Sequence, residues 1–197
     1  MNKIVVFASG SGSNFEAIAK AADTGKITIE ITGLITNNSK AGALVRAEAY
    51  NIPSYIIHPF DFKNQTEYEA SLLKLIDELS PDVIALAGYL RKIPSAIIKS
   101  YKNRILNIHP SLLPAYGGKG FYGMHVHEAV LENGESESGC SVHIVTEEYD
   151  EGPVLAFEKV PVYKKDTPQS LAKRVLEKEH ELYPRIIQEH LNKLSES

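Results

Sequence analysis

Strand-like and helix-like segments alternate along the first hundred residues, and this alternation limits the possible folds more than any other feature. Short apolar runs, such as residues 3–7 and 83–87, are separated by segments whose apolar residues recur at helical spacing. Residues 83–87 are apolar without interruption, which is typical of a strand covered on both faces of a parallel sheet. The sequence therefore predicts an α/β protein with a doubly wound, mostly parallel twisted sheet of the Rossmann-like type.

The C-terminal part departs from this pattern. The connection between predicted strands 141–145 and 154–162 is too short for a helical crossover, so an antiparallel strand is expected here. Pro168 predicts the start of the last helix, because proline is favoured in a first helical turn. Pro184 is expected to kink or divide that helix, and residues 192–197 are expected to form a frayed tail. The other predicted elements are strands 27–36, 54–57 and 105–109, and helices 41–50, 66–79, 94–101 and 128–132, with a further helix from residue 15.

Composition and charge exclude several classes of protein. The 197 residues fit one domain, with residues 1–100 and 101–197 as its halves. A net charge of −4, without a stripe of lysine and arginine, predicts no nucleic-acid partner. No apolar run approaches the roughly 18 residues of a membrane span, so no membrane partner is expected. The lone Cys140, together with an N-terminus that lacks a signal-peptide core, predicts a cytoplasmic protein without internal disulfides.

A loop of small residues follows the first predicted strand and has the sequence SGSGSN at residues 9–14. Such a loop lets backbone N–H groups close on an anion at a helix N-terminus. It is not a Walker loop, and Phe15 replaces the third glycine of the dinucleotide pattern. The second strand ends in Asn37 and Asn38, without the acidic residue that holds a ribose. A phosphate monoester therefore fits better than NAD, and the alternative is a plain turn with Asn14 as helix N-cap.

Two polar side chains lie together at the end of the predicted strand 105–109. Strand alternation places Asn107 and His109 on one side, and Pro110 ends the strand because proline cannot continue a central ladder. A buried Asn and His either satisfy each other within the fold or face a ligand. Both interpretations remain open from the spacing alone.

Other polar residues are expected at the same edge of the sheet. Arg91 follows strand 83–87, where open α/β sheets bind ligands, and it either holds a carboxylate or planar heterocycle or is solvated. A glycine-rich loop at residues 115–124 leads to His125 and His127. With His109 and His143 these histidines allow a zinc hypothesis. No cysteine pair or His-Glu-x-x-His helix supports it, and no metal is expected.

Four segments together resemble the phosphoribosylglycinamide formyltransferase family. They are SGSGSN at residues 9–14, LAGYLR at 86–91, NIHPSLLP at 107–114 and SVHIVTEEYDEGP at 141–153, and the resemblance runs from residue 3 to about residue 184. It implies transfer of the formyl group of 10-formyltetrahydrofolate to the amine of glycinamide ribonucleotide. The expected products are formylglycinamide ribonucleotide and tetrahydrofolate, in de novo purine biosynthesis. Residues 101–197 then form the catalytic and folate-binding half, and residues 1–100 the phosphate-binding half.

The resemblance also assigns roles to individual residues. Asn107 and His109 are expected to donate hydrogen bonds to the oxyanion of a tetrahedral intermediate, His109 in its protonated form. Asp150 is expected to raise the pKa of His109 and to assist proton transfer, with His143 orienting Asp150. The residues expected at the ribonucleotide phosphate and sugar are Ser11, Gly12, Ser13, Asn14 and Glu179, and those expected at the folate are Leu90, Arg91, Ile93, Thr146, Glu147, Glu148 and Tyr149.

Two departures from the family and several alternatives remain. The loop at residues 117–124 is longer than is common in the family, and Leu176 stands where many relatives have Gln or Lys near the phosphate. Lys119 of the longer loop is a candidate replacement. The alternatives are a formyltetrahydrofolate hydrolase, which is expected to carry an N-terminal regulatory domain, and a nonenzymatic folate or nucleotide sensor. A tRNA formyltransferase is expected to carry a C-terminal nucleic-acid-binding domain. The chain is expected to be a monomer or homodimer.

Overall fold

A computed structural model describes residues 1–196 of the chain. Within these residues the strands form one seven-stranded sheet with the order β3-β2-β1-β4-β5-β6-β7. Neighbouring strands from β3 to β5 are parallel, whereas β6 is antiparallel to both β5 and β7. The strands are β1 (Asn2–Phe7), β2 (Ile29–Thr36), β3 (Ser54–Ile56), β4 (Val83–Leu86), β5 (Ile105–His109), β6 (Glu137–Ile144) and β7 (Val154–Pro161).

Helices cover both faces of this sheet and confirm the doubly wound prediction. Alternate residues of β1 enter the cores on opposite faces of the sheet. Ile4 and Val6 lie in one core, and Val5 and Phe7 lie in the other. The helices are α1 (Ser13–Asp23), α2 (Gly42–Ala49), α3 (Gln65–Leu79), α4 (Ser95–Ser100), α5 (Met124–Glu132) and α6 (Pro168–Ser195), with a 3-10 turn at Pro59–Asp61.

The strand order reverses direction between β1 and β4. The chain leaves β1 toward β2 and β3 on one side, then returns to place β4 and β5 on the other. In open α/β sheets the connections after the strands diverge at such a point and leave a crevice outside the carboxyl ends. This topology brings the predicted phosphate loop, the segment with Arg91 and the Asn107–His109 pair to one edge of the sheet.

The structure corrects four sequence predictions about helices and strands. Helix α5 begins at Met124 rather than at residue 128, so His125 and His127 lie on the helix and not in the loop before it. Its buried residues Val126 and Val130 have the i, i+4 spacing of a helix, but the glycine-rich approach obscured this signal. Strand β6 begins at Glu137, four residues earlier than predicted.

Helix α6 is a single element of 28 residues with Pro184 inside it, so the predicted division does not occur. Proline in a helix interior removes one backbone hydrogen bond and clashes with the preceding turn. Here Pro184 is buried, and its neighbours Leu182, Tyr183 and Ile186 all pack in the core. Burial on both sides of Pro184 keeps the helix continuous. The frayed tail predicted for residues 192–197 is also wrong, because α6 continues to Ser195. Ser197 lies outside the described residues.

Among residues 1–196, no helix combines the length and the apolar character needed to cross a membrane.

Tyr183 links the long helix to the two central strands. Its ring is fully buried, and its hydroxyl donates to the carbonyl oxygens of Leu86 and Leu106, each at 3.0 Å. These carbonyls belong to adjacent parallel strands β4 and β5. The hydroxyl therefore holds the ends of both strands at fixed separation, directly before Asn107.

Replacing Tyr183 with Phe removes this hydroxyl and leaves two buried carbonyl oxygens without it. We expect Tyr183→Phe to lower the free energy of unfolding by about 1–3 kcal/mol, because buried polar groups lose their hydrogen-bond partner. Urea denaturation followed by circular dichroism measures this change. The control is Tyr163→Phe, at a ring that is 57% exposed, with an expected change within about 0.5 kcal/mol. Equal effects for the two variants would contradict the role given to the Tyr183 hydroxyl.

Candidate active site

The carboxyl end of β5 presents the two polar residues that the sequence singles out. Asn107 is half-buried and His109 is buried, and both border a cleft of about 430 Å³. The strand ends at His109, directly before Pro110, as predicted. The His109 Nε2 atom lies 2.7 Å from the carbonyl oxygen of Tyr116. Since a carbonyl oxygen only accepts, Nε2 carries the proton in this contact.

A compact turn after β5 brings Tyr116 back to His109. The Ser141 hydroxyl on β6 donates to the carbonyl oxygen of Ser111 at 2.7 Å and accepts from the backbone N–H of Leu113 at 3.1 Å. The Ser111 hydroxyl donates to the carbonyl oxygen of Ala115 at 2.6 Å. Two buried serines therefore close the Ser-Leu-Leu-Pro segment against β6. The Ser-Leu-Leu-Pro motif therefore has a structural role in addition to its position at the cleft.

Asp150 joins the cluster from the loop between β6 and β7. Its carboxylate lies 3.7 Å from His109 Nδ1 and 3.4 Å from His143 Nε2. The backbone N–H of Gly118 donates to the same carboxylate at 2.9 Å. Asp150 itself has a left-handed backbone with φ of 56°, which turns its side chain inward from an otherwise exposed loop. The residues that the family resemblance associates are thus close together.

His143 contacts both Asn107 and Asp150. Its Nδ1 atom lies 3.1 Å from the carbonyl oxygen of Ile144, so Nδ1 carries the proton of the neutral ring. Nε2 then accepts a hydrogen bond from Asn107 Nδ2 at 3.0 Å. Nε2 also lies 3.4 Å from the Asp150 carboxylate, so this one nitrogen is close to both Asn107 and Asp150.

Burial controls the protonation of His109. Removal from water lowers the pKa of His109 below its ordinary value, and the negative charge of Asp150 and the Tyr116 carbonyl only partly oppose this. The expected rise in pKa from Asp150 is present but does not prevail. Burial alone would raise the pKa of Asp150, but the contact with His143 and the charge of His109 outweigh it, and this pKa is lowered. The resting pair is thus a neutral imidazole beside a carboxylate.

The two histidines of α5 have different environments. His125 is exposed and its Nδ1 atom lies 3.3 Å from Glu128. His127 is buried, and burial together with the charge of His109 lowers its pKa to about 4. Among residues 1–196, no three or more His, Cys, Asp or Glu side chains form a group that could hold a metal ion.

The cleft includes most of the residues expected to contact folate. Those that border it are Leu90, Arg91, Ile93, Thr146, Glu148 and Tyr149. Glu147 is not among the bordering residues; its carboxylate accepts from the Ser95 hydroxyl at 3.2 Å and lies 3.6 Å from Lys99 Nζ. Residues 118–123 of the long loop, including Lys119 and Phe121, form another part of the wall. The sequence placed this loop at the same edge of the sheet as the predicted site.

The predicted phosphate loop forms the N-terminus of α1. Gly12 is the N-cap with φ of 76°, so the alternative in which Asn14 caps the helix is wrong. A side chain at Gly12 would place its Cβ 2.5 Å from the Ala43 backbone, which only glycine avoids. The first N–H groups of a helix lack intrahelical acceptors, and the helix dipole adds positive potential there. Ser11, Gly12, Ser13 and Asn14 therefore form an anion-binding geometry, although they do not border the main cleft.

Glu179 on α6 lies against this loop. The Asn14 Nδ2 atom donates to the Glu179 carboxylate at 2.6 Å, and burial raises the pKa of Glu179. Within residues 1–196, the buried Oδ1 atom of Asn14 has no hydrogen-bond partner and is available as an acceptor. Leu176, one turn earlier on α6, is half-buried. The loop and α6 thus meet as the resemblance implied.

Arg46 on α2 contacts the predicted phosphate loop and was not among the residues predicted from the sequence. Its Nε atom donates to the carbonyl oxygen of Ser11 at 2.8 Å, and its guanidinium also contacts Glu16 on α1. Its charge reaches His180, whose pKa is lowered first by burial and then by Arg46. The sequence carried one signal for this contact. Arg46 stands in the helix after β2, and the start of that helix lies beside the loop that follows β1.

Known proteins of one family resemble this chain along most of its length. The sequence pattern of the formyl transferase family matches residues 2–187, nearly the whole chain. The chain belongs to this family. It is 42% identical over 190 residues to the chloroplastic phosphoribosylglycinamide formyltransferase of Arabidopsis thaliana. The matched residues cover 94% of this chain and 64% of that protein. The chain therefore spans less than two thirds of that plant relative. The family resemblance of the four motifs is confirmed.

Two bacterial relatives match over more of their own length. The phosphoribosylglycinamide formyltransferase of Escherichia coli is 41% identical over 184 residues, covering 93% of this chain and 84% of that protein. The crystal structure of the phosphoribosylglycinamide formyltransferase from Brucella melitensis matches with a TM-score of 0.89 and 44% identity, covering 96% of this chain and 95% of that one. This formyl transferase fold is therefore shared along almost the entire chain.

Gly152 packs against the backbone of Ile144, next to His143 of the site. A Cβ atom at this position would overlap the carbonyl oxygen of Ile144, the same oxygen that accepts from His143 Nδ1. We expect Gly152→Ala to lower the free energy of unfolding by about 1–3 kcal/mol, because the backbone must shift to admit the methyl group. Thermal or urea unfolding measures the loss. At Gly10 a Cβ meets open space, so Gly10→Ala is the control for stability and should leave it nearly unchanged.

The electrostatic coupling of His109 and Asp150 can be measured directly. Because the Asp150 charge raises the pKa of His109 against the effect of burial, Asp150→Asn should lower that pKa further. An NMR titration of the His109 ring in both proteins gives the comparison. Asp23→Asn, at an exposed residue of α1, should leave the His109 titration unchanged. A His109 pKa that stays constant or rises in Asp150→Asn would contradict this coupling.

Proposed function

We propose that this protein transfers the formyl group of 10-formyltetrahydrofolate to the amine of glycinamide ribonucleotide. The proposal rests chiefly on one observation: Asn107, His109 and Asp150 converge at a cleft on the sheet edge that also carries an anion-binding loop. The names of the relatives from Escherichia coli and Brucella melitensis support the same reaction. The products are formylglycinamide ribonucleotide and tetrahydrofolate, as in de novo purine biosynthesis.

Asn107 serves as the donor to the oxyanion. The ribonucleotide amine attacks the formyl carbon, a C–N bond forms, and the formyl oxygen takes the negative charge of a tetrahedral intermediate. The hydrogen bond from Asn107 Nδ2 to His143 fixes the orientation of the amide at the edge of the cleft. A preorganised donor stabilises developing charge without reorganisation, and such a donor contributes roughly 3–4 kcal/mol in comparable sites.

His109 serves first as base and then as acid. The attacking amine becomes an ammonium, and the neutral His109 imidazole takes its excess proton. The Asp150 carboxylate stabilises the resulting imidazolium, because its charge favours the protonated ring. The imidazolium carries its new proton on Nδ1, because Nε2 already donates to the Tyr116 carbonyl oxygen. This Nδ1–H donates to the oxyanion, as the family resemblance implies, and the proton then passes to N10 of the folate as the carbon–N10 bond breaks. Tetrahydrofolate and the formylated amine leave with all protons balanced.

The remaining residues bind the two substrates. The phosphate contacts the backbone of Ser11, Gly12, Ser13 and Asn14, and Glu179 reaches the sugar. The folate lies along the cleft with Leu90, Arg91, Ile93, Thr146, Glu148 and Tyr149, and Arg91 faces its carboxylate tail. The predicted folate contact of Glu147 has no support from its position beside Lys99. Lys119 borders the main cleft rather than the phosphate loop, so a phosphate contact for Lys119 stays a prediction.

A formyltetrahydrofolate hydrolase is the alternative within the enzyme class, and it would use the same three residues with water as acceptor. The helix N-terminus that follows the glycine N-cap at Gly12 favours a phosphorylated acceptor instead. A nonenzymatic folate or nucleotide sensor is the other alternative. A cytoplasmic location and a monomeric or homodimeric state also belong to the proposal, and the free, buried Cys140 is consistent with a reducing compartment.

Release of tetrahydrofolate, with and without glycinamide ribonucleotide, separates these functions. The proposed enzyme releases tetrahydrofolate only when the ribonucleotide is present, and the formylated ribonucleotide appears in equal amount. Release without the ribonucleotide would support the hydrolase. Binding of either substrate without turnover would support the sensor.

Substitutions at the cluster should reduce the rate of the chemical step. We expect Asn107→Ala to lower kcat roughly 100–1,000-fold, because one oxyanion donor is lost. His109→Ala and Asp150→Asn should also lower kcat far more than they raise KM for either substrate. Steady-state kinetics with each substrate varied gives both constants. His125→Ala, on the exposed side of α5, is the control and should keep wild-type kinetics. Near-wild-type turnover in His109→Ala or Asp150→Asn would overturn the assigned roles.

A further inference from the structure

Ser9 connects the two segments that the proposed function assigns to different substrates. It lies two residues after the end of β1 and is only 5% exposed. Its backbone N–H donates to the carbonyl oxygen of Gly88 at 3.1 Å, and its hydroxyl accepts from the backbone N–H of Leu90 at 3.0 Å. Ser9 therefore binds the backbone of residues 88–90 through two separate atoms. On its other side it leads directly into the phosphate loop.

Two asparagines orient Ser9. Its hydroxyl donates to Asn37 Oδ1 at 2.6 Å, and its carbonyl oxygen accepts from Asn38 Nδ2 at 3.1 Å. Because the hydroxyl hydrogen is directed at Asn37, an oxygen lone pair remains for the Leu90 N–H. A dinucleotide site would have an acidic residue at this position. The Asn37-Asn38 pair instead orients Ser9 through two hydrogen bonds.

The geometry of Leu90 makes this connection relevant to the reaction. Its side chain is 65% exposed and borders the cleft, so packing of the Leu90 side chain does little to hold its backbone. Gly88, two residues earlier, has φ of 77°, and the chain turns sharply there as it leaves β4. Tyr89 packs edge-on against Phe7, and the Ser9 hydroxyl adds a hydrogen bond that restrains the backbone at Leu90.

We propose that Ser9 is a positioning residue, whose hydroxyl fixes the folate-binding segment at residues 88–91 relative to the phosphate loop. It thereby sets the distance between the ribonucleotide amine and the formyl carbon. This inference rests on the proposed function. Ser9 does not contact the reacting atoms, and it acts through Leu90.

Ser9→Ala removes the hydroxyl but keeps both backbone hydrogen bonds of residue 9. The Leu90 N–H loses its buried acceptor, so kcat/KM for 10-formyltetrahydrofolate should fall roughly tenfold. The dissociation constant of tetrahydrofolate, measured by calorimetry, should rise by a similar factor. The dissociation constant of glycinamide ribonucleotide should stay within twofold, since Ser11–Asn14 keep their backbone geometry. Ser9→Thr retains the hydroxyl and should restore most of the donor-side loss.

Ser138→Ala is the matched control. Ser138 is 3% exposed on β6, and within residues 1–196 its hydroxyl has no hydrogen-bond partner. The same atom is thus removed from a buried site without loss of a hydrogen bond, and donor binding and turnover should remain those of the wild type. If Ser9→Ala yields no folded protein, Asn37→Ala releases the hydroxyl hydrogen instead. It should weaken donor binding in the same direction, by a smaller factor.

The outcomes separate the inference from the function on which it rests. A wild-type protein that neither binds tetrahydrofolate nor turns over would contradict the proposed function, independently of Ser9. Wild-type binding and turnover in Ser9→Ala, or in Asn37→Ala where it replaces that variant, would overturn the positioning role. Equal weakening of both ligands with a lowered unfolding temperature would also overturn it, because that result indicates general destabilisation.

Discussion

A carboxylate enclosed between two imidazole rings is the constraint around which this site is built. Asp150 is partly removed from water, and an isolated buried charge is costly unless it is paired and hydrogen-bonded. His109, His143 and the Gly118 N–H supply those partners from three different segments. The Asp150 charge also opposes the effect of burial on the pKa of His109. The loops on either side of the cleft are therefore held by the group to which the proposed function assigns a part in proton transfer.

The mixed sheet explains how these segments meet. Five parallel strands place the phosphate loop, the segment after β4 and the end of β5 at one edge. The antiparallel reversal at β6 then positions His143 opposite Asn107. The tight return into β7 leaves Asp150 above both residues. A wholly parallel sheet would need a helical crossover after β6, and the acidic loop would not lie across the end of β5.

Backbone features carry much of the precision of this arrangement. Gly12 is required where α1 approaches Ala43, and Gly152 is required where the acidic loop passes Ile144. Tyr183 holds β4 and β5 together directly before Asn107. The contacts of Gly12 and Tyr183 join segments that are distant in the sequence. They fix atoms that a short motif can identify but cannot position.

The sequence by itself determined the architecture and the order of its elements, because periodicity and small-residue loops are local signals, and the family resemblance identified the segments that meet at the cleft. It did not determine the start of α5, the continuity of α6 through Pro184 or the direction of the His109 pKa. Those depend on burial, which is set by packing between distant segments. The contacts of Arg46 with Ser11 and of Glu147 with Lys99 were also decided by tertiary structure alone. A motif specifies which groups are present, whereas the folded chain decides their distances, their partners and their exposure to water.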